Sequence, residues 1–226
     1  MNTRTTELVL VRHGEAIVNL TGTLDGVCHG LTDRGRTQAA ALARRFAAQG
    51  AAAKNFDAGY HSPVRRAAET AGILQSAVCV PIVVHDGLRV ATHGEPGVDP
   101  WDIATNSIGT LPTNAPNLEP APGAETWQSY LDRCGQVLLD IVAAHDGQRV
   151  LIVAHAETAG GAAQAFLRLP AGNSRWFYPM VHHTGLTVWR HSYSDLPGSP
   201  DDGQWTLVSA NDTGHLRDGE FIDHAA

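Results

Sequence analysis

Lysine is almost missing from this chain. Of its 16 basic residues 15 are arginine, and Lys54 is the one lysine. Lys54 stands in no G-x-x-x-x-G-K setting, which excludes a P-loop nucleotide site. Cysteine is scarce too. Cys28, Cys79 and Cys134 are odd in number and far apart, unlike a disulfide scaffold or a zinc ribbon, and they read as reduced thiols of a cytoplasmic protein. No apolar run approaches the roughly 18 residues of a membrane span, and the first residues lack a signal-peptide apolar region. Neither membrane insertion nor secretion is expected. An excess of positive charge is also lacking. The net charge of -7 argues against nucleic acid or an anionic membrane as a partner. No ligand cluster suggests a metal, and no cofactor is called for.

What is present suffices for a core. With 43% apolar residues over 226 positions, residues 1–226 can form one domain without staples. The chain is organised around Leu8-Val9-Leu10-Val11-Arg12-His13-Gly14-Glu15. Four apolar residues running into a turn read as a buried strand. The polar cluster lies just past its carboxyl end, where open α/β sheets bind ligands. His13 reads as a nucleophile, and Arg12 as a fixed positive charge beside it.

Residues 16–31 read as a Gly-rich loop containing Asn19. A helix follows, with Thr32 as cap, Ala39, Leu42, Ala43 and Phe46 at helical spacing, and Gly50 placed to end it. Phe56 to Tyr60 is a second strand. Ser62 is then read as a cap and Pro63 as the start of a helix with Val64, Ala67, Ala68, Ala71 and Leu74 on one face. Val80 to Val84 is a third strand. Residues 91–124 lose the amphipathic period and gain Pro and Gly, so they read as a lid or specificity insertion. A long helix buries Trp127, Leu131, Cys134, Leu138, Ile141 and Val142. Arg149 to His155 repeats the opening design, an apolar strand ending on a histidine. A helix from Glu157 to Leu169 ends at Pro170, and Leu186 to Trp189 and Trp205 to Ser209 are further strands. Strands alternating with helices predict a three-layer α/β fold, a mostly parallel central sheet with helices on both faces.

Three segments end a strand on a charged or titratable residue: Arg12 to Glu15, Ser62 to Ala67, and His155 to Glu157. In a parallel sheet these ends converge. Two imidazoles and at least two guanidiniums would then share one pocket, which suits a phosphoryl group. Neighbouring guanidiniums disfavour a protonated histidine, and a neutral imidazole can attack phosphorus.

These residues resemble the histidine phosphatase superfamily, the group that contains cofactor-dependent phosphoglycerate mutase and many small phosphatases. The resemblance covers R-H-G-E at 12–15 with Asn19, the run from Leu31 to Ala39, Ser62 with Arg66, Ala67 and Thr70, then Val153-Ala154-His155. Asn211 to Leu216 looks like the family's closing segment. The order of these landmarks along nearly the whole chain makes the set specific. It implies a phosphoglycerate mutase-like fold and metal-independent catalysis. It also implies that His13 takes the phosphoryl group while Arg12, Asn19, Arg66 and His155 hold the phosphate oxygens, and that water then hydrolyses the phosphohistidine.

One landmark departs from the pattern. The mutase-like branch carries its proton donor in an L-x-E after the third strand, and here that stretch is Leu88-Arg89-Val90. Valine donates no proton. Glu157 is the preferred replacement, because His155-Ala156-Glu157 resembles the H-A-E tripeptide of the inositol-polyphosphate phosphatase branch. Glu95 is the second choice. Glu15 is read as a hydrogen-bonding neighbour, Arg65 as solvated, Glu125 as a cap-region charge, and His182 and His183 as surface or pocket-rim residues. Trp101, Trp176, Phe177 and Tyr178 could line a cleft or belong to the core. The leading expectation is a phosphomonoesterase for a small phosphorylated metabolite. A phosphomutase and a catalytically silent phospho-ligand or phosphoprotein binder are the alternatives. The natural substrate and the oligomeric state, a homodimer among the options, stay open.

Overall fold

The computed structural model describes residues 3–21, 28–48, 56–91, 113–120, 122–194 and 203–216. The elements run β1 (Thr3–Arg12), α1 (Ile17–Thr21), α2 (Asp33–Ala48), β2 (Ala58–His61), α3 (Arg65–Leu74), β3 (Ile82–Val84), α4 (Trp127–Ala144), β4 (Arg149–Ala154), α5 (Ala156–Phe166), β5 (Leu186–Ser194) and β6 (Gln204–Asp212). The six strands form one sheet in the order β3-β2-β4-β1-β5-β6. Strands β3, β2, β4 and β1 pair in parallel, and β5 and β6 continue antiparallel on the far edge. The expected three-layer, mostly parallel α/β architecture is what the chain adopts.

Alternation along the central strands explains the two helical layers. Leu8 and Leu10 of β1 share a face with Val150 and Ile152 of β4, and α4 and α5 cover it with Tyr130, Leu138 and Phe166. Val9, Val11, Leu151 and Val153 point the other way, onto Leu42 and Phe46 of α2 and Ala71 and Leu74 of α3. Both faces are buried, which is why these strands read as unbroken apolar runs. All six residues expected on the buried face of α4 are buried.

The differences from the sequence reading are local. Part of the expected loop at 16–31 is the short helix α1, where the Asn19 Oδ1 accepts the Ala16 N–H at 2.9 Å. Thr32 does cap α2, accepting from the Gly35 N–H at 2.9 Å. Gly50, expected to end that helix, lies outside the described residues. Ser62 is not the cap of α3. That helix begins at Arg65 with Val64 in the cap position; the Ser62 hydroxyl accepts the Val64 N–H at 3.3 Å, ahead of the helix, and also turns to the site below. Helix α5 stops at Phe166, short of Pro170, because Arg168 turns to a φ of 53°. The last two strands run for nine residues each, longer than their apolar centres. Of the expected insertion at 91–124, residues 92–112 and 121 lie outside the described residues, Glu95 and Trp101 among them.

Sheet register sets the site. Arg12 pairs with Ala154, and His61 pairs with Val153. The residues immediately after three adjacent parallel strands are therefore His13, Ser62 and His155. The His13 N–H donates to the Ala154 carbonyl at 2.9 Å and the Ser62 N–H to Val153 at 3.0 Å, so each chain leaves the sheet still tied to it.

Candidate active site

His13 is 3% exposed, and its ring is clamped from both sides. Its Nδ1 lies 2.7 Å from the Gly14 carbonyl oxygen, which can only accept. The proton is therefore on Nδ1. On the other side, the Nε of Arg66 donates to His13 Nε2 at 3.0 Å. The ring is thus neutral, with its lone pair on Nε2, facing the guanidinium. Burial holds its pKa well below 6.5, and Arg66, His155, Arg12 and His183 act in the same direction. The sequence reading credited the guanidiniums, but the exclusion of water contributes more.

Arg66 is the hub. Besides His13, its guanidinium reaches His155 Nδ1 at 3.4 Å and donates to the Cys28 Sγ at 3.6 Å. His155 is also 3% exposed, and its ring lies edge-on to His13 with centroids 5.3 Å apart. The His155 Nε2 is 2.8 Å from the Ser62 hydroxyl, which is fully buried. A guanidinium can only donate, so His155 Nδ1 accepts from Arg66 and the Nε2–H donates to the Ser62 oxygen. Arg12 is half-buried, and its Nη1 donates to the Val181 carbonyl at 2.7 Å.

Helix α3 is locked to the nucleophile's turn by Thr70. Its Oγ1 accepts the Gly14 N–H at 3.1 Å and donates to the Arg66 carbonyl at 2.8 Å. Gly14 itself meets Gly35 backbone to backbone. A Cβ on Gly14 would fall 2.5 Å from the Gly35 oxygen, and one on Gly35 would overlap the Glu15 carbonyl. Glu15 is buried, accepting from Thr32 Oγ1 at 2.7 Å and pairing with Arg34 at 3.2 Å. Its role is to join α2 to the turn, as a hydrogen-bonding neighbour. Arg65 is exposed and pairs with Glu69 at 2.7 Å, away from the cluster of imidazoles.

The position that would carry an L-x-E acid is Val90, just after a 3-10 turn at Asp86–Leu88. Glu125 is engaged elsewhere, in a two-pronged pair with Arg133 at 2.7 and 2.9 Å. Arg133 in turn holds the Gly87 carbonyl at 2.7 Å. Thr126, not Glu125, caps α4. Glu157 sits in the first turn of α5, partly exposed. Burial pushes the Tyr178 phenol up, the Glu157 carboxylate adds to this, and the Arg12 cation opposes it. Tyr178 thus lies within electrostatic reach of both Glu157 and Arg12. Trp176 and Phe177 are exposed, not core, while Tyr178 keeps 40% of its surface exposed with its hydroxyl end enclosed, its ring 6.0 Å from that of Trp127.

Two residues at the site depart from the sequence reading, which has Cys28 as a plain reduced thiol and His183 as a surface or pocket-rim residue. Cys28 touches Arg66, as above. His183 is neither on the surface nor at a rim: it is 2% exposed, with its ring 5.7 Å from that of His13. Its Nε2 is 3.1 Å from Asn19 Oδ1. The only sequence signal was the His182-His183 pair, and nothing in a pair says which member turns inward.

Residues 8–213 match the histidine phosphatase superfamily, branch 1. The chain belongs to this superfamily. A metal-independent phosphoserine phosphatase of Arabidopsis thaliana is 28% identical over 96% of this chain and 86% of its own length. A phosphoglycerate mutase-like protein 4 of the same plant is 26% identical over 96% and 89%. The solved structure of Bacillus stearothermophilus YhfR superposes with a TM-score of 0.73 at 26% identity, covering 93% of this chain and 98% of that one. In this histidine phosphatase, His13, Arg12 and His155 at the carboxyl ends of β1 and β4 cluster with Arg66 of α3, and Asn19 of α1 is tied to the cluster through His183. Glu157 stands at the start of α5, on the side of Tyr178.

Proposed function

We infer that the protein is a phosphomonoesterase that hydrolyses a small phosphorylated metabolite through a phosphohistidine on His13. The observation that carries this is the neutral His13 ring, with Nδ1–H fixed on a carbonyl and the Nε2 lone pair facing a guanidinium. A dianionic phosphoryl group entering the pocket draws Arg66 from the ring to its own oxygens, because a charged acceptor outcompetes a neutral one. That movement uncovers the lone pair as the phosphorus arrives. Nε2 then bonds to phosphorus while the ester P–O bond breaks, and Arg12, Arg66, His155 and the Asn19 amide neutralise the oxygens. The departing alkoxide takes a proton from Glu157. In the second half, Glu157 accepts a proton from water as that water's oxygen bonds to phosphorus. The P–N bond breaks, and His13 is restored.

The test is phosphate release from phosphoserine and from a panel of sugar, inositol and glycerate phosphates, with His13→Ala beside the unmodified protein. Release that vanishes in the folded variant is expected. Undiminished hydrolysis by His13→Ala would overturn the reading. Isomerised product without net release would favour the mutase, and binding without turnover the silent binder.

A further inference from the structure

We propose that His183 is a positioning residue that orients the Asn19 amide toward the phosphoryl oxygens. This proposal rests on the phosphatase reading only for the identity of the bound group. Burying an imidazole costs free energy unless its polar atoms are used, and His183 is buried beside His13 without belonging to the β1, β2 and β4 strand ends. Its partner identifies its use. The Asn19 Oδ1 accepts the Ala16 N–H at 2.9 Å, so that atom is the amide oxygen. An oxygen can only accept, so the His183 Nε2 must carry a proton and donate to it at 3.1 Å. Both lone pairs of Oδ1 are then occupied. The carboxamide plane is fixed, and its NH2 group points away from both donors.

Without this second bond the amide would be poorly held. Asn19 is exposed, on a helix of only five residues, and so short a helix has little stability of its own. A donor fixed before the substrate arrives is worth more than one that must be ordered during reaction.

The closing segment of the chain holds His183 in place. Thr184 adopts a left-handed φ of 57° and donates its N–H to the Arg12 carbonyl at 3.0 Å. Its hydroxyl meets His215 Nε2 at 2.9 Å. Asn211 Oδ1 accepts the His182 N–H at 2.7 Å. A Cβ at Gly185 would crowd that same oxygen and fall 2.9 Å from the His182 carbonyl oxygen, so a larger residue there would force the backbone of the loop to shift. The last strand thereby fixes an imidazole against the first helix.

The experiment compares H183F and H183M, which fill the space without a donor, with H183Q, which keeps an N–H at similar reach. All three are made with and without N19A. The readouts are kcat/KM on p-nitrophenyl phosphate and calorimetric binding of orthovanadate, with circular dichroism to verify folding. Loss of the oriented donor should lower kcat/KM by about tenfold, below the full loss of an oxyanion donor, and weaken vanadate by a similar factor. H183Q should recover most of the loss, and in the N19A background H183F and H183M should cost nothing more. Two variants of different shape keep the comparison if one fails to fold. Equal losses with and without Asn19, no loss at all, or no recovery in H183Q would overturn the proposal. A protein that binds vanadate but releases no phosphate would sink the phosphatase reading, and the vanadate arm would still decide the role of His183.

Discussion

Thr70→Val removes one oxygen and tests whether α3 is tied to the nucleophile as described. Valine matches threonine in shape, and Thr70 is fully buried, so no cavity opens. The Oγ1 is the acceptor for the Gly14 N–H at 3.1 Å and the donor to the Arg66 carbonyl at 2.8 Å. In the variant the Gly14 N–H is stranded in a dry pocket, at a cost of about 1–3 kcal/mol. For a chain of this size about 2 kcal/mol corresponds to a fall in Tm of about 4–8 °C. The same bond fixes the peptide whose carbonyl holds His13 Nδ1 and the helix that carries Arg66. Turnover should therefore fall by more than stability requires, by about tenfold in kcat at a temperature where the variant is fully folded. Thermal unfolding followed by circular dichroism, with steady-state kinetics alongside, measures both. Thr70→Ser keeps the hydroxyl and should retain most of the activity. A Thr70→Val protein with unchanged Tm and kcat would refute the coupling.

Glu157→Gln should slow alkyl phosphates by about 100-fold or more, the usual worth of a general acid. It should barely affect p-nitrophenyl phosphate, whose leaving group needs no proton. Equal losses on both substrates would remove Glu157 from that role. Acid should destabilise the fold in a definite window. The His13 pKa is well below 6.5 when folded, because of burial first, and burial also lowers His215 to about 4. The unfolded chain therefore takes up protons that the folded chain refuses once the pH falls below about 6.5. For His13 alone the loss is at most about 1.4 kcal/mol per pH unit below that point. Asp212, lowered to about 2 mainly by its bond to Arg45, extends the loss from pH 3.8 downward. Urea midpoints at pH 7.5, 5.5 and 4.5 should fall in that order, and equal midpoints at the first two would contradict the buried neutral ring. Gly35→Ala places a methyl group inside contact distance of the Glu15 carbonyl, where only backbone movement can relieve it. A loss of more than about 3 kcal/mol is expected, read as an unfolded or inactive product, and a stable active variant would show that the turn has slack.

The sequence by itself determined the layers and the chemical core of this protein. Leu8 to Val11 and Val150 to Val153, short apolar runs bounded by turn residues, read as strands buried on both faces. Those strands end on His13 and His155, so two imidazoles had to meet wherever the sheet was parallel. Periodicity could find the long helices, because a single apolar face repeats over several turns. It could not find α1, whose one turn is held by the Asn19 side chain, nor stop α5 before Arg168, where a single backbone angle ends the helix. The tertiary structure decided which atoms touch. It put Val64 in the cap position of α3 and set the Ser62 hydroxyl against His155. It set the tautomer of His13 through the Gly14 carbonyl. It carried His183 across the length of the chain to lie beside the nucleophile. Those outcomes depend on register and on dihedral angles of single residues, such as the left-handed turn at Thr184. A one-dimensional pattern of residue types carries neither, because contacts between distant segments exist only once the sheet has fixed their separation.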